Sequence, residues 1–210
     1  MALTPLMVDL TNKNVIIVGG GRVAERRIKS LLESDAVLTV ISPKIGDGIC
    51  ALWKNCQIAL KQKHVEEQDL KGAFLIIIAT NDSDVNNKVR KTAPKNALIN
   101  EATDAFRGNV QFPSTFNRGK LSISISTNGA SPMFSAKVKR DLLRTYDERY
   151  GDYIDFLDES RQLVKNSSLA EKEQIFLLKQ LLTDHFHDIR IQKEAIDWLE
   201  KLIGKSTKSN

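Results

Sequence analysis

The sequence predicts an α/β protein: a doubly wound parallel sheet, then a small α+β segment, then a helical C-terminal part. Three observations carry this. Apolar runs at 15–18, 37–41 and 74–79 alternate with stretches of helical spacing; a strand that is apolar throughout is buried on both faces, as crossover helices on a parallel sheet require. The first run, Val-Ile-Ile-Val, opens directly into Gly19, Gly20 and Gly21 and then into a helical pattern. After Pro113 the continuous runs give way to the alternation Leu-Ser-Ile-Ser-Ile-Ser at 121–126, the mark of a half-buried antiparallel strand.

Residues 3–14 read as a lead-in, with 7–10 an edge strand or a loop and 12–14 a turn. The strand 15–18 follows. From Arg22, the residues Val23, Ile28, Leu31 and Leu32 recur at helical spacing, with Arg26, Arg27, Lys29 and Glu33 on the other faces. Ser34-Asp35 ends that helix. The run 37–41 is a second buried strand, stopped by Ser42-Pro43. A helix is expected over 48–55, a short strand over 58–60, and a loop or helix over 64–70. The run 74–79 is the plainest strand of the chain and ends in Thr80-Asn81-Asp82. A helix over 85–92 and a strand over 97–100 complete the alternation, a Rossmann-type order whose ligands lie at the carboxyl ends of the strands. Beyond it, 109–112 is expected to pair with 121–126 across a turn at 117–119. A loop spans 128–132 and a basic helix 133–150. From 152 to 202 the apolar spacing is helical throughout, and the tail 204–210 is polar.

The chain has 210 residues, of which 41% are hydrophobic and 27% charged, values ordinary for a globular protein of one large domain or two small ones. No apolar run is long enough for a bilayer, and the opening Met-Ala-Leu-Thr-Pro-Leu lacks the basic start of a secretory signal. Cys50 and Cys56 are the only cysteines. They lack metal-site spacing and read as reduced thiols of a cytoplasmic protein. His64, His185 and His187 do not make a metal set either, because residues two apart do not share a helix face. The net charge is +5 with a pI near 9.1. Between Pro113 and Thr145 lie Arg118, Lys120, Lys137, Lys139, Arg140 and Arg144 against the single acid Asp141, so this segment carries the whole excess. Such a field suits a phosphate, a nucleic acid or a polycarboxylate; it equally suits a solvated helix face.

Gly19, Gly21 and Ala24 fit the G-x-G-x-x-G/A dinucleotide fingerprint. Gly19 permits the tight turn, Gly21 lets backbone approach a pyrophosphate, and Ala24 lets the helix pack close to the strand. The free N–H groups of Arg22, Val23 and Ala24 at the helix start would hold the phosphates. The fingerprint asks for an acid about 20 positions on, for the ribose. Here Ser42-Pro43-Lys44 stands instead: Ser42 suits a ribose and Lys44 a phosphate, which leaves NAD and NADP both open. Thr80, Asn81 and Asn100 fall at strand ends where the cleft must lie.

Several separated motifs resemble the precorrin-2 dehydrogenase family of sirohaem synthesis. They are Asp9-Leu10, the glycine stretch through Arg27, Leu38 to Pro43, Ile78 to Asp82 with Val85-Asn86, Asn100, Phe112-Pro113-Ser114, Arg118 to Leu121, and Ser124 to Pro132. The resemblance implies an NAD-dependent oxidation of precorrin-2 to sirohydrochlorin by a homodimer. It divides the chain into an NAD-binding domain (1–112), a dimerisation and substrate-binding segment (113–145) and a helical domain (146–210). Some family members also insert ferrous iron into the product; a further methyltransferase domain, present in others, does not fit in this length. A polycarboxylate tetrapyrrole needs cations, and Arg118, Lys120, Lys137 and Arg140 are the candidates. Ser126, Thr127, Asn128 and Ser131 offer donors, although Asn128-Gly129 also fits a plain turn. The family's aspartate after the strand-end asparagine aligns without a gap on Thr103, and the second of two consecutive acids found in many members aligns on Asp104. Asp104 is therefore the candidate general base, with a turn or helix-cap role as its alternative and Glu101 as the other carboxylate.

The contrasting class is a regulatory module that senses NAD or reads nucleic acid, with the basic helix as its only support. No helix-turn-helix pattern or aromatic interleaving accompanies it. The expected partner is thus a small tetrapyrrole, with no nucleic acid and no membrane.

Overall fold

The computed structural model describes residues 3–104 and 106–206 and divides into two compact units, Met1–Phe112 and Pro113–Asn210. The first unit runs β1 (Asn14–Val18), α1 (Arg22–Lys29), β2 (Val37–Ile41), α2 (Asp47–Lys54), β3 (Ala59–Lys61), β4 (Leu75–Ile78), α3 (Ser83–Thr92) and β5 (Leu98–Glu101), with 3₁₀ turns at Leu32–Ser34 and Glu67–Leu70. All pairings are parallel and the strand order is β3-β2-β1-β4-β5. The chain winds outward from β1 to β3, then returns to the other side of β1. That reversal opens a crevice at the carboxyl ends of β1 and β4.

The alternation of side chains along β1 explains the two-sided winding. Val15 and Ile17 point into a core with Ala24 and Ile28 of α1 and Ile49 and Leu52 of α2. Ile16 and Val18 point the other way, towards Leu70 and Val89 of α3. Each such buried isoleucine stabilises the fold by roughly 1.5–3 kcal/mol. The helix expected to continue past residue 30 stops at Lys29. Ser30 donates its hydroxyl to Arg27 O at 2.8 Å, and Asp35 closes the turn with φ of 51°. Residues 7–10 are loop, settling the two alternatives there.

β5 lies at the sheet edge, and its open side is covered locally. The Asn109 side chain accepts from Ile99 N at 2.6 Å and donates to Ala97 O at 3.1 Å, while the backbone N–H groups of Asn109 and Val110 reach Ile99 O. An asparagine thus stands in for a sixth strand and blunts the edge. This overturns the expected role of 109–112 as the partner of 121–126.

In the second unit, β6 (Ser114–Arg118) pairs antiparallel with β7 (Leu121–Ile125). The loop between them is two residues long, with Gly119 at φ of +52°, so the adjacent strand reaches β7 before any more distant one. Next come α4 (Pro132–Thr145), α5 (Arg149–Lys165), α6 (Glu171–Gln180), a 3₁₀ turn at Asp184–His187, and α7 (Ile189–Ser206). The basic helix expected over 133–150 is therefore two helices. Asp147 takes the N–H and the guanidinium of Arg149, a local bond that competes with helix continuation. Tyr153, Phe156, Val164, Leu181 and Leu199 form this unit's core. α7 reaches Ser206, so the backbone of 204–206 in the polar tail is helical; 207–210 lie outside the described residues. Among the described residues no helix is long and apolar enough to cross a membrane.

Candidate functional site

Four consecutive positions across the sheet deliver the site of the first unit. Gly19–Gly21 follow β1, Ser42 and Pro43 follow β2, Thr80 and Asn81 lie just beyond β4, and Asn100 is in β5. The ladders continue past the strand ends: Gly19 N donates to Ile41 O at 3.0 Å and Ala79 N to Val18 O at 2.8 Å. The loops therefore leave the sheet side by side.

The three glycines do different things. Gly19 sits at φ +129°, and a Cβ there would lie 2.3 Å from Ala79 O, so only glycine fits. Gly20 was not singled out from the sequence. A methyl on it would lie 2.0 Å from Lys44 O, and its carbonyl accepts from Gly46 N at 2.8 Å. Its one signal in the sequence is that a glycine fills the free position between Gly19 and Gly21 of the fingerprint. Gly21 is the N-cap of α1, without a side-chain bond to the helix, and a Cβ on it would meet nothing within 4 Å. The open space lies where first-turn N–H groups need an acceptor, and Arg22 and Val23 beside it are exposed while Ala24 is wholly buried against β1. This is a cradle that fits a dinucleotide pyrophosphate.

The flanking residues are mostly committed to holding the cradle. Ser42 is buried and donates to Lys44 O at 2.7 Å. Thr80 Oγ1 lies 2.6 Å from Asn86 Oδ1, and Asn86 Nδ2 returns a bond to Thr80 O at 3.2 Å. Asp82 caps α3 by accepting from Asp84 N and Val85 N. Asn81 is exposed. Asn100 is buried; its amide donates to Val110 O at 3.1 Å and its Oδ1 has no hydrogen-bond partner.

Past β5, Asp104 accepts from Phe106 N at 3.0 Å and pairs with Arg107 at 3.1 Å. Its carboxylate is 39% exposed. Glu101 differs: its side chain is 2% exposed and lies 3.3 Å from Arg90 Nε. The approach is off hydrogen-bond geometry, so both atoms are charge-paired yet lack a hydrogen bond. Arg90 also reaches Asn87.

In the second unit the predicted cations separate into two groups. Arg118 Nε donates to Tyr146 O at 3.0 Å and its Nη1 pairs with Glu148 at 3.1 Å. Lys120 contacts Asp158 at 2.6 Å and Asp155 at 3.3 Å, in that order the causes that raise its pKa. These two clip the hairpin to the helices. Lys137 and Arg140, on α4, are exposed. The polar loop is also bonded to itself. Ser131 accepts from Phe134 N and caps α4, Thr127 accepts from Ser131 N at 3.1 Å, and Ser126 accepts from Asn128 N at 3.1 Å. Asn128 has φ of 50° and Gly129 of 84°, the turn alternative noted for that pair.

An all-parallel sheet of this order, with an open glycine cradle at its reversal, defines a nicotinamide-dinucleotide-binding protein of the Rossmann class. Comparison with known proteins narrows the class. A family model described as NAD(P)-binding matches residues 6–114, "Sirohaem biosynthesis protein central" matches 118–145, and "SirC C-terminal domain" matches 150–195. The chain is 38% identical over 197 residues to precorrin-2 dehydrogenase of Priestia megaterium, covering 93% of this chain and 98% of the relative. It is 33% identical over 152 residues to precorrin-2 dehydrogenase of Bacillus subtilis (strain 168), covering 72% and 92%. The solved structure titled "SirC, precorrin-2 dehydrogenase" is similar with a TM-score of 0.84 at 37% identity, covering 95% of this chain and 100% of that one. The chain belongs to the precorrin-2 dehydrogenase family.

Proposed function

We propose that this protein oxidises precorrin-2 to sirohydrochlorin with NAD. The observation that carries the reading is the cradle formed by Gly19, Gly20 and Gly21, open on the side where a pyrophosphate would lie, in a chain of this family. The N–H groups of Arg22, Val23 and Ala24 bind the phosphates. Thr80, Asn81 and Asn100 line the rest of the cofactor's path along the strand ends. When bound, NAD supplies the acceptor for the two electrons and one hydrogen that leave the substrate as hydride. The proton lost with them passes to the Asp104 carboxylate, which the Phe106 N–H orients. Lys137 and Arg140 contact substrate carboxylates, while Arg118 and Lys120 act by holding the segment that presents them. The three-part division at 112 and 145, the homodimer and a cytoplasmic location belong to the same reading. Exposed Phe134 and Met133 on α4 support a dimer contact there.

The test supplies purified protein with precorrin-2 and NAD and follows sirohydrochlorin by absorbance. Asp104→Asn is expected to lower kcat by about 100-fold or more with little change in KM for NAD. An unchanged kcat in this variant places the base elsewhere, and no NAD-dependent turnover by the unaltered protein defeats the whole assignment. Iron insertion is measured on the same preparation without NAD, and sedimentation reports the dimer.

A further inference from the structure

The adenosine end of the cleft carries a second property, which rests on the dinucleotide reading above. In a doubly wound sheet the adenosine ribose lies at the carboxyl end of the second strand. An acid there accepts the ribose hydroxyls and repels a 2′-phosphate. Here β2 ends at Ile41 and runs on through Ser42, Pro43 and Lys44 without an acid. The Ser42 hydroxyl is buried and donated to Lys44 O at 2.7 Å, so it shapes the loop. The loop is also pinned to the phosphate cradle: Gly46 N donates to Gly20 O at 2.8 Å, and Lys44 O leaves no room for a Cβ on Gly20. Lys44 therefore stands beside the cradle whose next residue but one is Arg22.

The charges around this point are uneven. Lys44 and Arg22 are exposed, and neither has an ion-pair partner among the described residues. Glu25, the acid of α1, is held by Lys29 at 2.6 Å. Lys61 and Lys63, beyond β2 on the sheet, are both held by Asp69 at 2.9 Å. Two carboxylates flank this loop: Asp47, the first residue of α2, is exposed, and that of Glu25 packs against Gly48 with its charge taken by Lys29. A 2′-phosphate at the end of β2 would thus meet two unneutralised cations and no acid on the strand that ordinarily excludes it. We propose that this cleft accepts a 2′-phosphorylated nicotinamide dinucleotide as well as NAD, with Lys44 the residue that sets the preference and Arg22 its support.

The experiment is equilibrium titration of the full chain with NADH and with NADPH, followed by nicotinamide fluorescence, for the unaltered protein, Lys44→Ala and Lys44→Glu. The unaltered protein is expected to bind the two within about tenfold of one another. Lys44→Glu should weaken NADPH by at least about thirtyfold and NADH by less than about threefold, with Lys44→Ala between. Turnover with NADP and NAD should shift in the same ratio. Binding of NADH with NADPH weaker by about a thousandfold or more in the unaltered protein overturns this proposal alone. Equal loss of both dinucleotides in Lys44→Glu also overturns it, since the lysine is then structural. If the unaltered protein binds neither, the dinucleotide reading itself falls.

Discussion

At Gly20 an added Cβ would strike main-chain atoms of Lys44 and Ile45, so no side-chain rotamer can relieve the clash. Gly20→Ala must push the Lys44 loop off the cradle, at about 2 kcal/mol in stability, and should weaken NADH binding at least tenfold (about 1.4 kcal/mol) in a fluorescence titration. Binding at unaltered affinity would show that the loop is free to move. Asp69 offers a different residue-scale test. Burial would raise its pKa, but bonds from Lys63 and Lys61 and from the Glu66 N–H outweigh this and hold it at about 2, against an ordinary 3.8. The folded state then binds fewer protons than the unfolded one between these values. Its contribution is present above pH 4 and lost as pH falls towards 2. Because both lysines are partly exposed, the effect at neutral pH is on the order of 1–2 kcal/mol. Asp69→Asn should lower urea stability by that amount at pH 7 and flatten the acid limb of the stability profile; equal losses at pH 7 and pH 2.5 would contradict the pairing. Gly19, Gly21 and Ala24 were legible from spacing because the fingerprint is local. Gly20 was not legible in the same way, since its partner, Lys44 O, comes from the next loop, whereas the Ser42 hydroxyl is taken by Lys44 O two residues on in its own loop.

The elements of the first unit were read nearly to their ends. A run such as 74–79 is apolar for one reason only, burial on both faces, and β4 is buried at every position. The edge was misread. Asn109-Val110-Gln111-Phe112 looks like a strand by composition, yet Asn109 uses its side chain to complete β5, and Phe112 lies under the Arg27 guanidinium, 4.6 Å from ring centre to Cζ. Gly108 makes this possible, because a Cβ there would lie 2.3 Å from Ile99 O. Gly108→Ala should therefore cost about 2 kcal/mol by denaturant unfolding. A loss below about 0.5 kcal/mol would mean that the segment stands off the edge. The long basic helix was also misread, since nothing in helical periodicity announces that Asp147 will bond Arg149 and restart the chain.

For the whole molecule, the division at Phe112 and Pro113 separates the cofactor chemistry from the second unit's own core. Binding of NAD to the folded form alone stabilises what it touches, by about 2.7 kcal/mol at a hundred times Kd. Hydrogen exchange with saturating NAD should slow at 19–24, 42–46 and 79–82, with the interior of α5, around Phe156, unchanged. Slowing confined to the second unit would place the cofactor site wrongly. The charge excess between Pro113 and Thr145 belongs to this scale as well. Read as a whole it suits a polycarboxylate, but two of its six cations, Arg118 and Lys120, are bound to acids of α5 and of the turn before it.

The sequence alone determined which segments are strands and helices, their order along the chain, and the fingerprint positions Gly19, Gly21 and Ala24 of the phosphate cradle, because each of these depends on residues within a few positions of one another. The tertiary structure decided which strand β7 takes as partner, what covers β5, and which cations stay free for a ligand. Those outcomes depend on distances between residues remote in the chain, as with Arg118 and Tyr146, 28 positions apart, or Lys120 and Asp158, 38 apart. Charge and composition name the candidates for such bonds, and only the folded geometry brings a given pair within the 3 Å or so that a hydrogen bond needs.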